Sequence, residues 1–126
     1  MDRLFVYGTL MRGEDREGLV NHLEVRPAHT LGRLWRSPSG YPALEFNPNA
    51  DTVTGEVLEL ENASVLMVLD LYEGVGQGLF SRIKIPIQTA QGTEMAWAYV
   101  MNAMQLREAQ CVRLKLTDWR DAKRRR

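Results

Sequence analysis

The stretch from Leu79 to Met101 constrains the fold of this chain most. Ser81, Ile83, Ile85 and Ile87 recur at every second position, with Phe80, Arg82, Lys84 and Gln88 among the residues between them. A period of two belongs to a strand, because successive side chains leave opposite faces of an extended backbone. Ala90-Gln91-Gly92 interrupts the run. Thr93–Met101 then resumes it, with Met95, Trp97, Tyr99 and Met101 on one face. Two such runs across a short glycine-containing turn predict a β-hairpin. Pro86 has no backbone N–H, so a sheet edge or a bulge is expected there.

Other strand patterns join the hairpin. Leu4–Tyr7 and Thr30–Trp35 read as strands, and so does Thr52–Leu60. In the last, Val53, Gly55 and Val57 share one face and Leu58 and Leu60 the other, which predicts burial on both sides near its end. Ser37–Pro42 and Asn47-Pro48-Asn49 are turn sequences. Between strands, Val65, Leu69 and Tyr72 recur at helical spacing with Leu66 beside them. This predicts a helix over Ala63–Tyr72, capped by Asn62 and stopped by Gly74. Glu14, Asp15 and Glu17, followed by Leu19, Val20 and Leu23, suggest another helix after the first strand. Strands outnumber helices, so the fold class is α+β with a mainly antiparallel sheet or an open barrel.

The 126 residues suit a single domain, expected over residues 1–120. The basic run Lys123–Arg126 is expected to be part of a frayed tail over residues 121–126, rather than a phosphate contact. With 44% hydrophobic and 25% charged residues, the chain can bury a real core. Lys+Arg and Asp+Glu both number 16, so no global basic field exists to attract nucleic acid. One cysteine, Cys111, excludes an intramolecular disulfide. It fits a reducing compartment, and a cytoplasmic location is expected. His22, His29 and Cys111 are too scattered for a zinc signature, so no metal and no cofactor is expected. No apolar run is long enough for a membrane helix. Met1-Asp2-Arg3 leads straight into a strand pattern, unlike a signal peptide. A monomer or a small homo-oligomer is expected.

Two segments carry chemistry. Tyr7-Gly8-Thr9-Leu10 follows the first strand. Gly8 has no Cβ, so the backbone can approach a ligand closely, and clustered N–H groups suit a carboxylate or an oxyanion. The plainer reading is an ordinary turn. Glu73 ends the predicted helix, where the macrodipole disfavours a carboxylate and pushes its pKa up, toward the range of a general base. The plainer reading is an exposed glutamate. Arg82 suits either a substrate carboxylate or an acidic neighbour. Tyr99 suits either a pocket or the core, and Asp70 reads as structural.

Val6-Tyr7-Gly8-Thr9-Leu10, Gly55-Glu56-Val57, Leu69-Asp70 with Glu73-Gly74, and Phe80-Ser81-Arg82 together resemble the γ-glutamylcyclotransferase-like family. That family includes the AIG2-like and YtfP-like proteins. Gly40-Tyr41-Pro42 is similar to its proline loop, and Asp118-Trp119 to a motif near the end of short bacterial members. The resemblance spans Leu4 to Trp119. It implies a mostly antiparallel sheet curled into a partly open β-barrel, with one or two flanking helices. It also implies a cavity beside the turn after the first strand.

The implied reaction is cyclisation of a γ-glutamyl amide to 5-oxoproline, with release of an amine or amino acid. Glu73 would be the acid/base. Tyr7, Gly8, Thr9, Leu10, Arg82 and Tyr99 would contact the small-molecule γ-glutamyl substrate. A non-catalytic metabolite-binding protein using the same pocket is the alternative. Phe80 stands where many members carry Tyr, and Thr117 where the late motif has Gly. Gly76-Gln77-Gly78 is expected to form a cover over the pocket.

Overall fold

The computed structural model describes residues 2–8, 11 and 22–124. Among these residues seven strands form: β1 Arg3–Val6, β2 His22–Arg36, β3 Pro42–Phe46, β4 Thr52–Leu60, β5 Ser81–Thr89, β6 Gly92–Val100 and β7 Val112–Arg113. Three helices join them: α1 Ser64–Tyr72, α2 Ala103–Glu108 and α3 Trp119–Arg124. The helix suggested after the first strand lies outside the described residues, except that Leu23 belongs to β2.

Five strands close on themselves in the order β2-β4-β1-β6-β5 and back to β2. Every pairing is antiparallel except β1 with β6, which meet in parallel at Leu4 and Trp97. The seam between β2 and β5 is thin, with a ladder pairing at His29–Gln88. Thr30 Oγ1 reinforces it by donating to the Pro86 carbonyl at 2.8 Å. Pro86 itself keeps register with Met95 in β6, so no bulge forms, and its missing N–H falls on the seam side. The barrel is therefore partly open.

The 15-residue β2 is much longer than the expected Thr30–Trp35. Its first part, His22–Leu31, pairs with β4, and its last part, Gly32–Arg36, pairs with β3. β7 adds to the same end at Trp35 and Arg36. One strand thus serves both the barrel and an extension beside it. Pro27, Glu24 and Arg26 hide its first half from a search for apolar alternation.

The core explains why β1 and β4 read as they do. Leu4, Phe5 and Val6 are all buried, because β1 runs between β4 and β6 with both faces covered. Gly55–Leu60 in β4 is buried on both faces. A Cβ at Gly55 would collide with the Val6 carbonyl and the Phe5 ring, so only glycine lets these strands approach. β6 packs its small residues Ala96 and Ala98 inward against Ile85 and Ile87 of β5.

One end of the barrel is closed by charge. Arg3 of β1 and Arg26 of β2 each bridge Glu59 of β4 and Glu94 of β6, at 2.7 to 3.1 Å. These residues stand near the start of β1 and β6 and the end of β4. The other end, where β1 and β6 finish and β5 begins, stays open and holds the cavity described below.

Residues 121–124, expected to fray, continue α3 instead, with Ala122 buried. Trp119 is buried and carries the Arg36 guanidinium 5.3 Å from its ring centre. The aromatic anchor holds a helix that the basic composition concealed.

Candidate active site

A cavity of about 520 Å³ opens at the uncharged end of the barrel. Its lining comes from five places in the chain. The end of β1 gives Phe5, Val6, Tyr7 and Gly8, and the loop before β3 gives Ser39, Gly40, Tyr41 and Pro42. The end of α1 gives Tyr72 and Glu73. The start of β5 and end of β6 give Leu79, Phe80 and Tyr99.

Glu73 enters this cavity because of helical spacing. The buried residues of α1 are Leu66 and Leu69. Adding three and then four residues to Leu66 reaches Leu69 and Glu73, so Glu73 occupies the apolar face at its last turn. Tyr72, expected on the buried stripe, is about half exposed and stands at the cavity rim. At the other helix end the N-cap is Ala63, with no side-chain cap; Asn62, expected in that place, stands one residue earlier and its Oδ1 accepts from the Ser64 N–H at 2.9 Å. Glu73 closes the helix through its own N–H, which donates to the Leu69 carbonyl at 2.8 Å. Gly74 follows at φ +66°, the left-handed conformation that stops the helix.

No described residue makes a side-chain hydrogen bond or ion pair to Glu73. Burial pushes its carboxyl up to about 7. The direction agrees with the sequence argument, but the cause is desolvation rather than the helix end. Three phenols surround it electrostatically. Tyr7, Tyr41 and Tyr99 are each pushed up, first by burial and further by the Glu73 charge. They stay neutral wherever Glu73 titrates.

The phenols are held by specific bonds. Tyr7 Oη donates to the Tyr99 carbonyl at 2.6 Å, and its ring stacks near Phe5 at 6.4 Å. Tyr99 Oη donates to Asp70 Oδ1 at 2.8 Å. Tyr41 leans on Phe80, with ring centres 5.9 Å apart. Its loop folds around Ser37, whose Oγ accepts from the Tyr41 N–H at 3.1 Å. Gly8 packs so closely on Pro42 that a Cβ there would overlap the proline ring. The Gly8 carbonyl accepts from the Met11 N–H at 3.0 Å.

The expected site residues divide. Tyr7, Gly8, Glu73 and Tyr99 come together at one cavity. Thr9 and Leu10 lie outside the described residues. Arg82 does not line the cavity. Its Nε and Nη2 fork onto Asp70 at 2.7 and 3.0 Å, and its guanidinium lies 4.4 Å above the Trp97 ring. The acidic neighbour takes these two donors. The residues expected to cover the pocket also differ. Val75–Gln77 forms a 3₁₀ turn, and the Gly78 carbonyl accepts from Gln105 Nε2 of α2 at 3.0 Å. Residues 76–78 are not in the lining; Leu79 and Phe80 are. Tyr41, Pro42, Tyr72, Leu79 and Phe80 were not expected as site residues, although the resemblance had marked the Gly40-Tyr41-Pro42 loop.

Residues 4–121 match the family described as gamma-glutamyl cyclotransferase, AIG2-like. The chain belongs to that family. It is 31% identical over 126 residues to the gamma-L-glutamyl-butirosin B gamma-glutamyl cyclotransferase of Niallia circulans, covering 95% of this chain and 76% of that protein. Among solved structures it is similar to YkqA of Bacillus subtilis, with a TM-score of 0.74 and 26% identity. That match takes in 97% of this chain and 40% of YkqA, so the chain spans less than half of that protein. A mouse AIG2-like protein shares the fold, with a TM-score of 0.69 and 21% identity over 87% of this chain and 82% of that one. The α+β barrel is the fold of this family. Among the described residues no group of His, Cys, Asp or Glu could hold a metal ion, and no helix is long and apolar enough to cross a membrane.

Proposed function

We propose that this family member cyclises a γ-glutamyl amide to 5-oxoproline and releases an amine or amino acid. The observation that carries the proposal is Glu73, a carboxylate in the cavity with no side-chain partner among the described residues and with its pKa near 7. A base with that pKa is half ionised near neutral pH, where it can take a proton and return it.

The substrate supplies both reacting groups. Glu73 removes a proton from the α-ammonium, and the freed nitrogen attacks the γ-carbonyl carbon. A carbon–nitrogen bond forms and the carbonyl electrons move to oxygen. As the tetrahedral species collapses, the bond to the leaving nitrogen breaks. That nitrogen takes a proton through Glu73. Because both partners belong to one molecule, the protein's task is to fold the substrate into a five-membered ring geometry. The phenyl and phenol walls of Phe5, Tyr41, Phe80 and Tyr99 confine it. Backbone N–H groups of Gly8, Thr9 and Leu10 are the proposed donors to the oxyanion, each contributing about 3 kcal/mol.

The relative that acts on a γ-glutamylated butirosin supports including amines as leaving groups. The purified protein is incubated with γ-glutamyl amino acids and γ-glutamyl amines, and 5-oxoproline is quantified. Production from at least one class supports the reading. Thermal stabilisation by these compounds without any 5-oxoproline would replace it with a metabolite-binding role.

A further inference from the structure

We infer that the Asp70–Arg82 pair is a positioning device for Glu73, holding the last turn of α1 onto β5 and β6 and presenting the base with a neutral neighbour. The inference rests on the acid/base reading of Glu73. Its geometric basis is independent of that reading.

Asp70 and Glu73 lie three residues apart on α1, a spacing that puts both carboxylates over the same side of the helix. Their surroundings differ. Asp70 accepts two bonds from Arg82 of β5 and one from Tyr99 of β6. Glu73 receives none from the described residues. Tyr99 in turn accepts at its carbonyl from Tyr7 of β1. One carboxylate thus ties the end of α1 to two strands directly and to a third through Tyr99. Of these residues Tyr7 and Tyr99 line the cavity, and Asp70 and Arg82 support Tyr99 from behind. The bidentate fork fixes direction as well as distance, which a lysine could not do.

The electrostatic consequence follows from the same contacts. A bare Asp70 carboxylate one turn from Glu73 would disfavour ionisation of the base. A bare Arg82 would favour it. With the pair formed, neither charge bears on the Glu73 shift, whose cause is burial. Among the described residues, the phenols that feel the Glu73 charge are Tyr7 after β1, Tyr41 from the loop before β3 and Tyr99 from β6, each pushed up first by burial. Cys111, ahead of β7, lies by Tyr7 and Tyr41, and burial pushes its thiol up as well. Among the described residues, on the far side of Arg82, Lys84 lies 5.1 Å over Trp97 and Asp2 accepts from Trp97 Nε1. The phenolic proton of Tyr99 is committed to Asp70, so it does not reach Glu73 and lower its pKa.

The test is a carboxyl 13C NMR titration of Glu73 in the full chain, which needs no substrate and no activity. The wild type is expected to titrate near 7. Asp70→Asn should lower the midpoint by about half a unit or more, since the Arg82 guanidinium then lacks its counter-charge. Arg82→Gln should raise it by a similar amount. Asp70→Asn combined with Arg82→Gln should return it toward the wild-type value. Shifts in one common direction, or no shift in either variant, would overturn the inference. Should Asp70→Asn fail to fold, Arg82→Gln alone decides, because only a raised midpoint agrees with the pair. Opposite shifts with no 5-oxoproline formed would retain the pair and remove the catalytic reading.

Discussion

Tyr7 donates its phenolic hydrogen to the backbone carbonyl of Tyr99 at 2.6 Å, across 92 residues of chain. The bond pins the end of β1 to the end of β6 where the cavity begins. It also removes the Tyr7 proton from any role toward a ligand. Tyr7→Phe should therefore cost stability more than chemistry. Loss of a buried hydrogen bond predicts a decrease of about 1 to 2 kcal/mol in urea unfolding, with turnover kept within about tenfold.

Glu73 makes both stability and activity depend on pH, in opposite directions. Its ordinary carboxylate value is 4.5, and burial raises it to about 7 in the folded protein. Between these values the folded state holds more protons than the unfolded state, so stability falls as pH rises. The expected loss from pH 4.5 to above 7 is about 1 to 3 kcal/mol. Thermal unfolding of Glu73→Gln should lack this component. Turnover needs the ionised base, so kcat/KM should rise with pH through about 7 and then level off.

Gly8 is confined by Pro42, and a methyl group there has no space. Gly8→Ala must push the β1 end away from the proline loop. The predicted result is a loss of about 1 to 3 kcal/mol in chemical denaturation, with a raised KM for any γ-glutamyl substrate. Pro42→Ala combined with Gly8→Ala should recover part of the stability, because the overlapping ring is removed.

The charged floor of the barrel gives a prediction far from the cavity. Glu59 is 8% exposed and is bridged by Arg3 and Arg26. Among the described residues, Arg26→Met leaves Glu59 with Arg3, and Glu94 with Arg3 and Thr89. A buried carboxylate losing its partner predicts destabilisation of about 2 to 4 kcal/mol, measured by urea titration at pH 7. Arg26, Thr89 and Arg3 hold Glu94 down at about 2. This stabilisation is present above the ordinary carboxylate value and fades as pH falls from about 4.5 toward 2. Arg26→Met should flatten that acid limb.

Local pattern revealed the β5–β6 hairpin and α1, because each buries a face or stripe of its own, and β4, because its apolar run is buried on both faces. It missed the first half of β2, where Glu24 and Arg26 line the charged end of the barrel and Pro27 interrupts the ladder pattern. An inward-facing charge looks like a loop residue until its partner strands are known. In the site, Glu73 was visible as an acid where a helix end disfavours one. Its stronger signature is position: it continues the Leu66–Leu69 stripe, a place where a leucine would be ordinary. Asp70 and Arg82 were each noticed, but not as partners, since nothing in the separation of 12 residues shows that α1 packs on β5. The aromatic wall depends on three loops meeting, so Tyr41, Tyr72 and Phe80 carried no local sign of a cavity.

The most direct measurement is 5-oxoproline formation at pH 8 by the wild-type protein and by Glu73→Gln, on a γ-glutamyl compound the wild type turns over. Glu73 as the acid/base predicts a fall of about 10²- to 10⁴-fold in kcat with the fold intact. Turnover by Glu73→Gln equal to that of the wild type would contradict the account.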